Sequence, residues 1–205
     1  MIITTIFFVL LSYLLGSVSF SYLIAKKIKK IDIRKEGSGN AGATNTLRVL
    51  GVGPAISVLL LDVLKGILPV VLAMLVTDAA FVHVLTGLAA ILGHNWPIYF
   101  GFRGGKGVAT SIGVLVSLVF LPALLAGVVA IASIFITRYV SLGSLLFAVL
   151  TPVALVLLML IPSFSYPFEY MLFTVILAVM SLWRHRTNVS RLLSGTENKI
   201  GRKHA

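Results

Sequence analysis

The sequence predicts an all-α integral membrane protein of seven transmembrane helices, with its N-terminus outside and its C-terminus in the cytoplasm. Three observations carry that expectation. First, 59% of the 205 residues are hydrophobic and 11% are charged, with a mean hydropathy of +1.07. That balance excludes an ordinary soluble domain and a disordered chain alike. Second, several apolar runs reach the roughly 18 to 20 residues that cross a bilayer as a helix. Third, sixteen of the seventeen Lys and Arg residues fall in four polar segments, 26–51, 101–107, 138–144 and 184–205. Seven crossings bring all four to one face, which the positive-inside rule makes cytoplasmic. Six crossings would send the basic tail to the opposite face. Residues 1–205 are expected to form a single transmembrane domain.

The net charge of +11 then serves orientation and the attraction of anionic substrates or headgroups, and no nucleic acid is expected. The absence of cysteine removes disulfides, a thiol nucleophile and thiolate metal sites.

The spans follow in order. Residues 2–25 form the first. Apolar residues follow Met1 directly, and no small-residue cleavage pattern closes the run, so it reads as a retained helix and not a signal peptide. Its Ser12, Gly16, Ser17, Ser19 and Ser21 favour close helix packing in lipid. Residues 52–76 form the second, with Asp62 and Lys65 three apart on one face. Charges at membrane depth are expensive unless paired, and the two read as a neutralising pair in preference to reacting groups. Residues 79–100 form the third, with His83 an interfacial bystander at its far end. Residues 108–137 would make one helix about 45 Å long against a hydrocarbon thickness of about 30 Å. With Pro122 inside, the run reads as two short helices turning at 121–123. Residues 145–161 and 168–183 complete the set around a turn at 162–167. No internal repeat is evident.

The polar segments carry the chemistry. Residues 37–45 read GSGNAGATN, with Arg48 one turn beyond. Gly37, Gly39 and Gly42 permit positive φ and close backbone approach, while Ser38, Asn40, Thr44 and Asn45 add short donors and acceptors. Backbone N–H groups can converge there on an oxyanion; a plain connector needs only one or two glycines. The second loop, GFRGGKG over 101–107, is not a Walker A loop: it is one residue short, and Gly107 stands where Ser or Thr belongs. Gly104, Gly105 and Gly107 around Lys106, at the start of a helix, still suit a phosphate, with lysine as a point charge. The alternative is a turn with a snorkelling lysine. Arg138, Tyr139, Ser141, Gly143 and Ser144 are expected to form a third, short polar loop. In the tail, His185 and Asn188 are three apart and share a face; its plain alternative is a basic helix resting on anionic lipid. Asp32, Glu36 and Glu197 are scattered, and His94 and His185 lack paired-ligand spacing, so neither metal nor cofactor is expected.

Together GSGNAGATN with Arg48, GHNWPIYFGFRGGKG, RYVSLGS and RHRTNVSRLLSGTENK resemble the bacterial acyl-phosphate:glycerol-3-phosphate acyltransferases, in order and over essentially the whole length. The resemblance implies transfer of a fatty acyl group from acyl phosphate to the 1-hydroxyl of glycerol 3-phosphate. The products would be lysophosphatidic acid and phosphate, in phospholipid biosynthesis, with neither acyl-CoA nor acyl carrier protein as donor. It implies a multi-pass protein of the bacterial cytoplasmic membrane, active on the cytoplasmic side as a monomer without cofactor or obligate protein partner.

It also implies residue roles. Gly37, Ser38, Gly39, Asn40, Gly42, Thr44 and Asn45 would hold one phosphate, supported by Arg48. Gly104, Gly105, Lys106 and Gly107 would hold acyl phosphate or the developing negative charge. Ser141, His185 and Asn188 would line the glycerol 3-phosphate side, with Glu197 bracing the tail. Ser38, Lys106, His185 and Asn188 would form the catalytic set. Two phosphate-bearing substrates match two glycine-rich basic loops. The rival class, a transporter or channel for an organic phosphate, predicts discontinuous helices near the midplane and an inverted repeat.

Overall fold

Helix accounts for all regular structure, in ten α-helices and two short 3₁₀ turns, and no strand occurs among the described residues. The computed structural model describes residues 1–201. Arg202 and Lys203, counted above with the tail's basic residues, lie outside the described residues. The chain divides into two compact units, Met1–Leu118 and Val119 onward.

The first unit holds α1 (Ile2–Gly16), α2 (Phe20–Lys29), α3 (Ala43–Leu50), α4 (Val52–Val76), α5 (Ala80–Asn95) and α6 (Val108–Leu118). Helices in lipid associate through close backbone approach, because the tails are as apolar as leucine. Here α1 packs along α5 and α4 along α6, and each helix of each pair contributes a glycine. A Cβ at Gly16 would strike the Ala90 carbonyl, and one at Gly93 the Tyr13 carbonyl. Likewise a Cβ at Gly66 would strike the Thr110 carbonyl, and one at Gly113 the Val63 carbonyl. Ser12 Oγ reinforces the first pair by donating to the Thr86 carbonyl at 2.6 Å, and the Tyr13 hydroxyl donates to the Trp96 carbonyl at 2.8 Å.

The run expected as one helix over 2–25 is interrupted. α1 ends at Gly16 and α2 begins at Phe20. The Val18 carbonyl in the gap accepts from Lys65 Nζ at 2.6 Å, so a cation from α4 caps the break. Lys65 is also ion-paired with Asp62 at 2.8 Å, and His94 Nδ1 on α5 lies 3.7 Å from the same carboxylate. Asp62 is 1% exposed and Lys65 5%. The neutralising pair is present, then, and it also joins three elements. His83 is no interfacial bystander: it is 4% exposed, with Nε2 2.7 Å from the Thr77 carbonyl. A carbonyl only accepts, so Nε2 carries the proton, and the bond ties the end of α4 to the start of α5.

The second unit holds α7 (Phe120–Thr137), α8 (Val140–Met159), α9 (Phe168–Arg184) and α10 (Arg186–Leu193). α7 packs on α8, α8 on α9, and α10 on α9. Ser141, Gly143 and Ser144, expected in a loop, lie instead in the first turns of α8, where Gly143 packs against Ala130 and Ile134 of α7. The long run 108–137 does break into two helices, but at Val119 and not at 121–123. Pro122 is compatible with the first turn of α7, where a backbone N–H has no helical partner to lose.

Among the described residues four helical runs are long and apolar enough to cross a membrane: Ile2–Lys29, Val52–Val76, Phe120–Thr137 and Val140–Met159. That is fewer than the seven expected. The polar turn after Asn95 and the break at Val119 shorten α5 and α6 to 16 and 11 residues, and α9 has 17.

A stability prediction follows from the buried pair. Asp62→Ala leaves the Lys65 ammonium buried without its carboxylate and should cost about 3–5 kcal/mol. The midpoint of unfolding in a denaturing-detergent titration measures the loss. Asp62→Leu combined with Lys65→Met removes both charges at similar volume and should restore most of it, short of the Val18 carbonyl's lost bond.

Candidate active site

The first loop is fixed from both ends. The Asp32 carboxylate caps the 3₁₀ turn Ile33–Lys35 by accepting from Arg34 N at 3.0 Å. It also receives the Arg34 guanidinium in fork geometry, Nε to Oδ1 at 2.9 Å and Nη2 to Oδ2 at 2.7 Å. The hydrogen bond from Arg34 holds the Asp32 carboxyl below its usual range. Arg34 Nη1 then donates to the Phe100 carbonyl at 2.8 Å, and the Tyr22 and Phe100 rings meet with centroids 4.9 Å apart. The segment leading into the first loop is thereby pinned to the segment leading into the second.

Asn45, in the first turn of α3, is buried beneath this loop. Its Nδ2 donates to the carbonyls of Ile33 at 3.1 Å and Glu36 at 2.9 Å, and its Oδ1 accepts from Ser38 N at 2.8 Å. Gly37 has φ +57°, and a Cβ there would run into Asn45 Oδ1. The Asn45 amide is thus spent on shaping the loop. Gly37, Ser38 and Gly39 lie exposed at the tip, while Asn40, Gly42, Thr44 and Arg48 are half-buried.

The second loop folds back over the end of α5. After the turn Ile98–Phe100, positive φ at Gly101 and Phe102 reverses the chain, and Gly105 N donates to the His94 carbonyl at 3.2 Å. A Cβ at Gly104 would strike that same carbonyl. One at Gly105 would strike both His94 Nε2 and the Ala41 carbonyl. The two glycine-rich loops therefore touch, at Ala41 and Gly105. Lys106 is half-buried, and Gly107, at φ +82°, leads into α6. The first turn of α6 carries backbone donors with no intrahelical acceptor and the positive end of the helix dipole.

His94 lacks paired-ligand spacing in the sequence and is assigned no role there. It stands between Asp62 and Gly105 and backs the second loop. Asn95, whose side chain lies against Gly107, went unmarked. The polar pair in GHNW, just before the glycines, was the one signal for both residues.

In the second unit Glu197 is the hub. Its Oε1 accepts from Ser141 Oγ at 3.0 Å and from Asn188 Nδ2 at 2.8 Å, and its Oε2 accepts from Arg191 Nε at 2.7 Å. This is the bracing part expected of it. Burial pushes its carboxyl up, but the hydrogen bonds from Arg191, Asn188 and Ser141 outweigh burial and hold it below its ordinary value. His185, buried at the junction of α9 and α10, places Nδ1 2.9 Å from the Ser181 carbonyl. That carbonyl only accepts, so Nδ1 bears the proton and, in the neutral ring, Nε2 is the acceptor.

Residues 6–195 match the family Glycerol-3-phosphate acyltransferase. The chain belongs to that family. It is similar to the glycerol-3-phosphate acyltransferase of Shouchella clausii, 71% identical with 100% of both chains covered. It is similar also to that of Halalkalibacterium halodurans, 68% identical over 94% of this chain and 93% of that one. Among solved structures it resembles PlsY (YgiH), an integral membrane glycerol 3-phosphate acyltransferase. The glycerol 3-phosphate form matches at 39% identity and TM-score 0.87 over 96% of each chain. The lysophosphatidic acid form matches at 38% and 0.84, over 96% of this chain and 95% of that one. This chain is an integral membrane acyltransferase. Its interrupted helices are a feature that the transporter reading also predicts, and family membership decides for the enzyme.

The Glu197 cluster makes a pH prediction. A carboxyl with a lowered folded-state pKa stabilises fully above its ordinary value of 4.5 and loses that contribution as pH falls through the folded value. The melting temperature of the wild type should therefore fall more steeply below pH 4.5 than that of Glu197→Gln. The difference between the two curves isolates this group from Asp32 and other acids.

Proposed function

We propose that this acyltransferase moves a fatty acyl group from acyl phosphate to the 1-hydroxyl of glycerol 3-phosphate, releasing lysophosphatidic acid and phosphate in phospholipid biosynthesis. The observation that carries the reading is the meeting of the two glycine-rich basic loops at Ala41 and Gly105. Two phosphate-bearing substrates need two anion cradles, and backbone N–H groups near helix N-termini supply them.

Acyl phosphate is a mixed anhydride, already activated. The acceptor hydroxyl oxygen attacks the acyl carbon, the new ester C–O bond forms, and the bond to the phosphate oxygen breaks with its electron pair. The protein's task is then positioning and charge stabilisation. Gly104, Gly105, Lys106 and Gly107 hold acyl phosphate or its developing charge. Gly37, Ser38, Gly39, Asn40, Gly42 and Thr44 hold the other phosphate with Arg48, and Asn45 keeps their loop in shape. Within the second unit, Ser141, His185 and Asn188 keep the part toward glycerol 3-phosphate that the resemblance implies, with Glu197 ordering Ser141 and Asn188. The hydroxyl proton goes to a substrate phosphate. Supporting this, the contact described for His185 Nδ1 is to a neutral carbonyl, which raises ring basicity less than the carboxylate of a triad does. His185 orients the acceptor.

The chain acts as a monomer in the bacterial cytoplasmic membrane, with its loops on the cytoplasmic side and its N-terminus outside. Seven crossings are supported by the segregation of basic residues; beside the four long runs they need α5, α6 and α9, of 16, 11 and 17 residues, to cross as well.

Purified protein given acyl phosphate and radiolabelled glycerol 3-phosphate should form an organic-soluble labelled product, and none with acyl-CoA. Lys106→Ala should lower kcat/KM by about 10² or more, the scale of one preorganised donor. Lys106→Arg should rescue it only in part, because the guanidinium fork needs the room that the glycines leave for substrate. Near-wild-type activity in folded Lys106→Ala would return this lysine to a snorkelling role.

The absence of native cysteine makes the topology directly testable. Single cysteines at the exposed positions Ser38, Arg103 and Ser194 should react with an impermeant reagent only after cells are opened. One at exposed Ser163 should react in intact cells. Labelling of Ser194→Cys from outside overturns the seven-span layout.

A further inference from the structure

Two asparagines lie buried beneath the two glycine-rich loops, and they differ in one respect. Asn45 spends both ends of its amide on the first loop's backbone. Asn95, the last residue of α5, is equally buried at 1% exposure, yet neither its Nδ2 nor its Oδ1 has a hydrogen-bond partner. An unpaired buried amide is destabilising, and native chains carry few of them.

The position of this amide indicates its use. It lies against Gly107, where a Cβ would sit 2.8 Å from Oδ1 and 3.4 Å from Nδ2. Any side chain at 107 would cap the amide, and φ +82° at this residue already favours glycine. Gly107 leads directly into α6 at Val108, so the amide stands beside the orphan N–H groups and the positive end of an eleven-residue helix. Thr110, in the same first turn, is also fully buried, with a hydroxyl that has no partner. A helix N-terminus and an unpaired buried donor converge on one place.

We infer that the Asn95 side chain is a binding residue for acyl phosphate in the second loop, its Nδ2 donating to a phosphoryl oxygen held by Gly104–Gly107 and the first turn of α6. This rests on the reading that this loop takes acyl phosphate. Lys106 supplies the charge, and Asn95 supplies direction without a second cation that would retain the phosphate product.

The test compares wild type, Asn95→Leu, Asn95→Ala and Lys106→Ala in detergent. Melting temperatures are read with and without a non-hydrolysable acyl phosphonate, and KM is measured for both substrates. Replacing an unpaired amide by an apolar group of similar shape should leave the ligand-free melting temperature of Asn95→Leu unchanged or higher. The shift on adding phosphonate should shrink at least by half. KM for acyl phosphate should rise about tenfold or more, with KM for glycerol 3-phosphate within threefold; if the leucine fails to fit, Asn95→Ala gives the same reading. A full phosphonate shift in the Asn95 variants, lost only in Lys106→Ala, overturns this inference and keeps the loop's assignment. So does a lowered ligand-free melting temperature with unchanged KM, which makes Asn95 a structural brace. No phosphonate shift in wild type overturns both the loop's assignment and this inference.

Discussion

Asp62 and Lys65 are two full charges inside an otherwise apolar helix, and the first unit is arranged around satisfying them. A buried ion pair rarely repays its own desolvation, so its significance lies in what the pair holds. Lys65 reaches the Val18 carbonyl and caps the interruption between α1 and α2. Asp62 faces His94, and His94 stands behind Gly105. A single pair on α4 thus connects a helix break, the end of α5 and the loop that carries Lys106. Any change to it acts first on stability and only through geometry on chemistry.

Glycine works at two scales in this unit. Within the helices it lets backbones touch, one glycine from each member of the α1–α5 and α4–α6 pairs. Those contacts hold α5 and α6, the helices that flank the second loop, against α1 and α4. Within the loops glycine brings backbone against backbone, at Gly104 on His94 and at Gly105 on Ala41. Backbone donors have no rotamers to freeze, so loops built this way are suited to holding an anion, as proposed, at little entropic cost. The second unit reaches order by another route, gathering Ser141, Asn188 and Arg191 on one carboxylate, Glu197.

How much of this was legible in the sequence depended on the range of the interaction. Hydropathy revealed the helices, and Pro122 revealed a break, misplaced by two residues because proline is tolerated in a first helical turn. The gap at residues 17–19 stayed hidden: serines in an apolar run suit a packed helix as well as a broken one, and its cap comes from Lys65, 47 residues away. The i, i+3 spacing disclosed the Asp62–Lys65 pair, but not its third partner, His94. His83 was misread because its acceptor belongs to a turn, not to a helix period. That both loops are glycine-rich was plain in the sequence; that Asn45 braces one while Asn95 remains unpaired beneath the other depends on tertiary contacts that no spacing encodes.

Sparseness in ionisable groups fits the chemistry. With acyl phosphate as the proposed donor, the bond is activated before it reaches the enzyme, so the barrier that remains is one of approach and of charge moving onto phosphate. Strong bases add little there, and His185 accordingly rests Nδ1 on a backbone carbonyl. Cations carry a separate cost, because phosphate is a product and must leave. In the proposed second-loop subsite, one lysine among glycines, helix-end N–H groups and a neutral amide would stabilise the transferring charge through directed dipoles that are already in place. Dipoles discriminate by geometry more than by net charge, so they can favour the transition state without trapping the dianion that follows it.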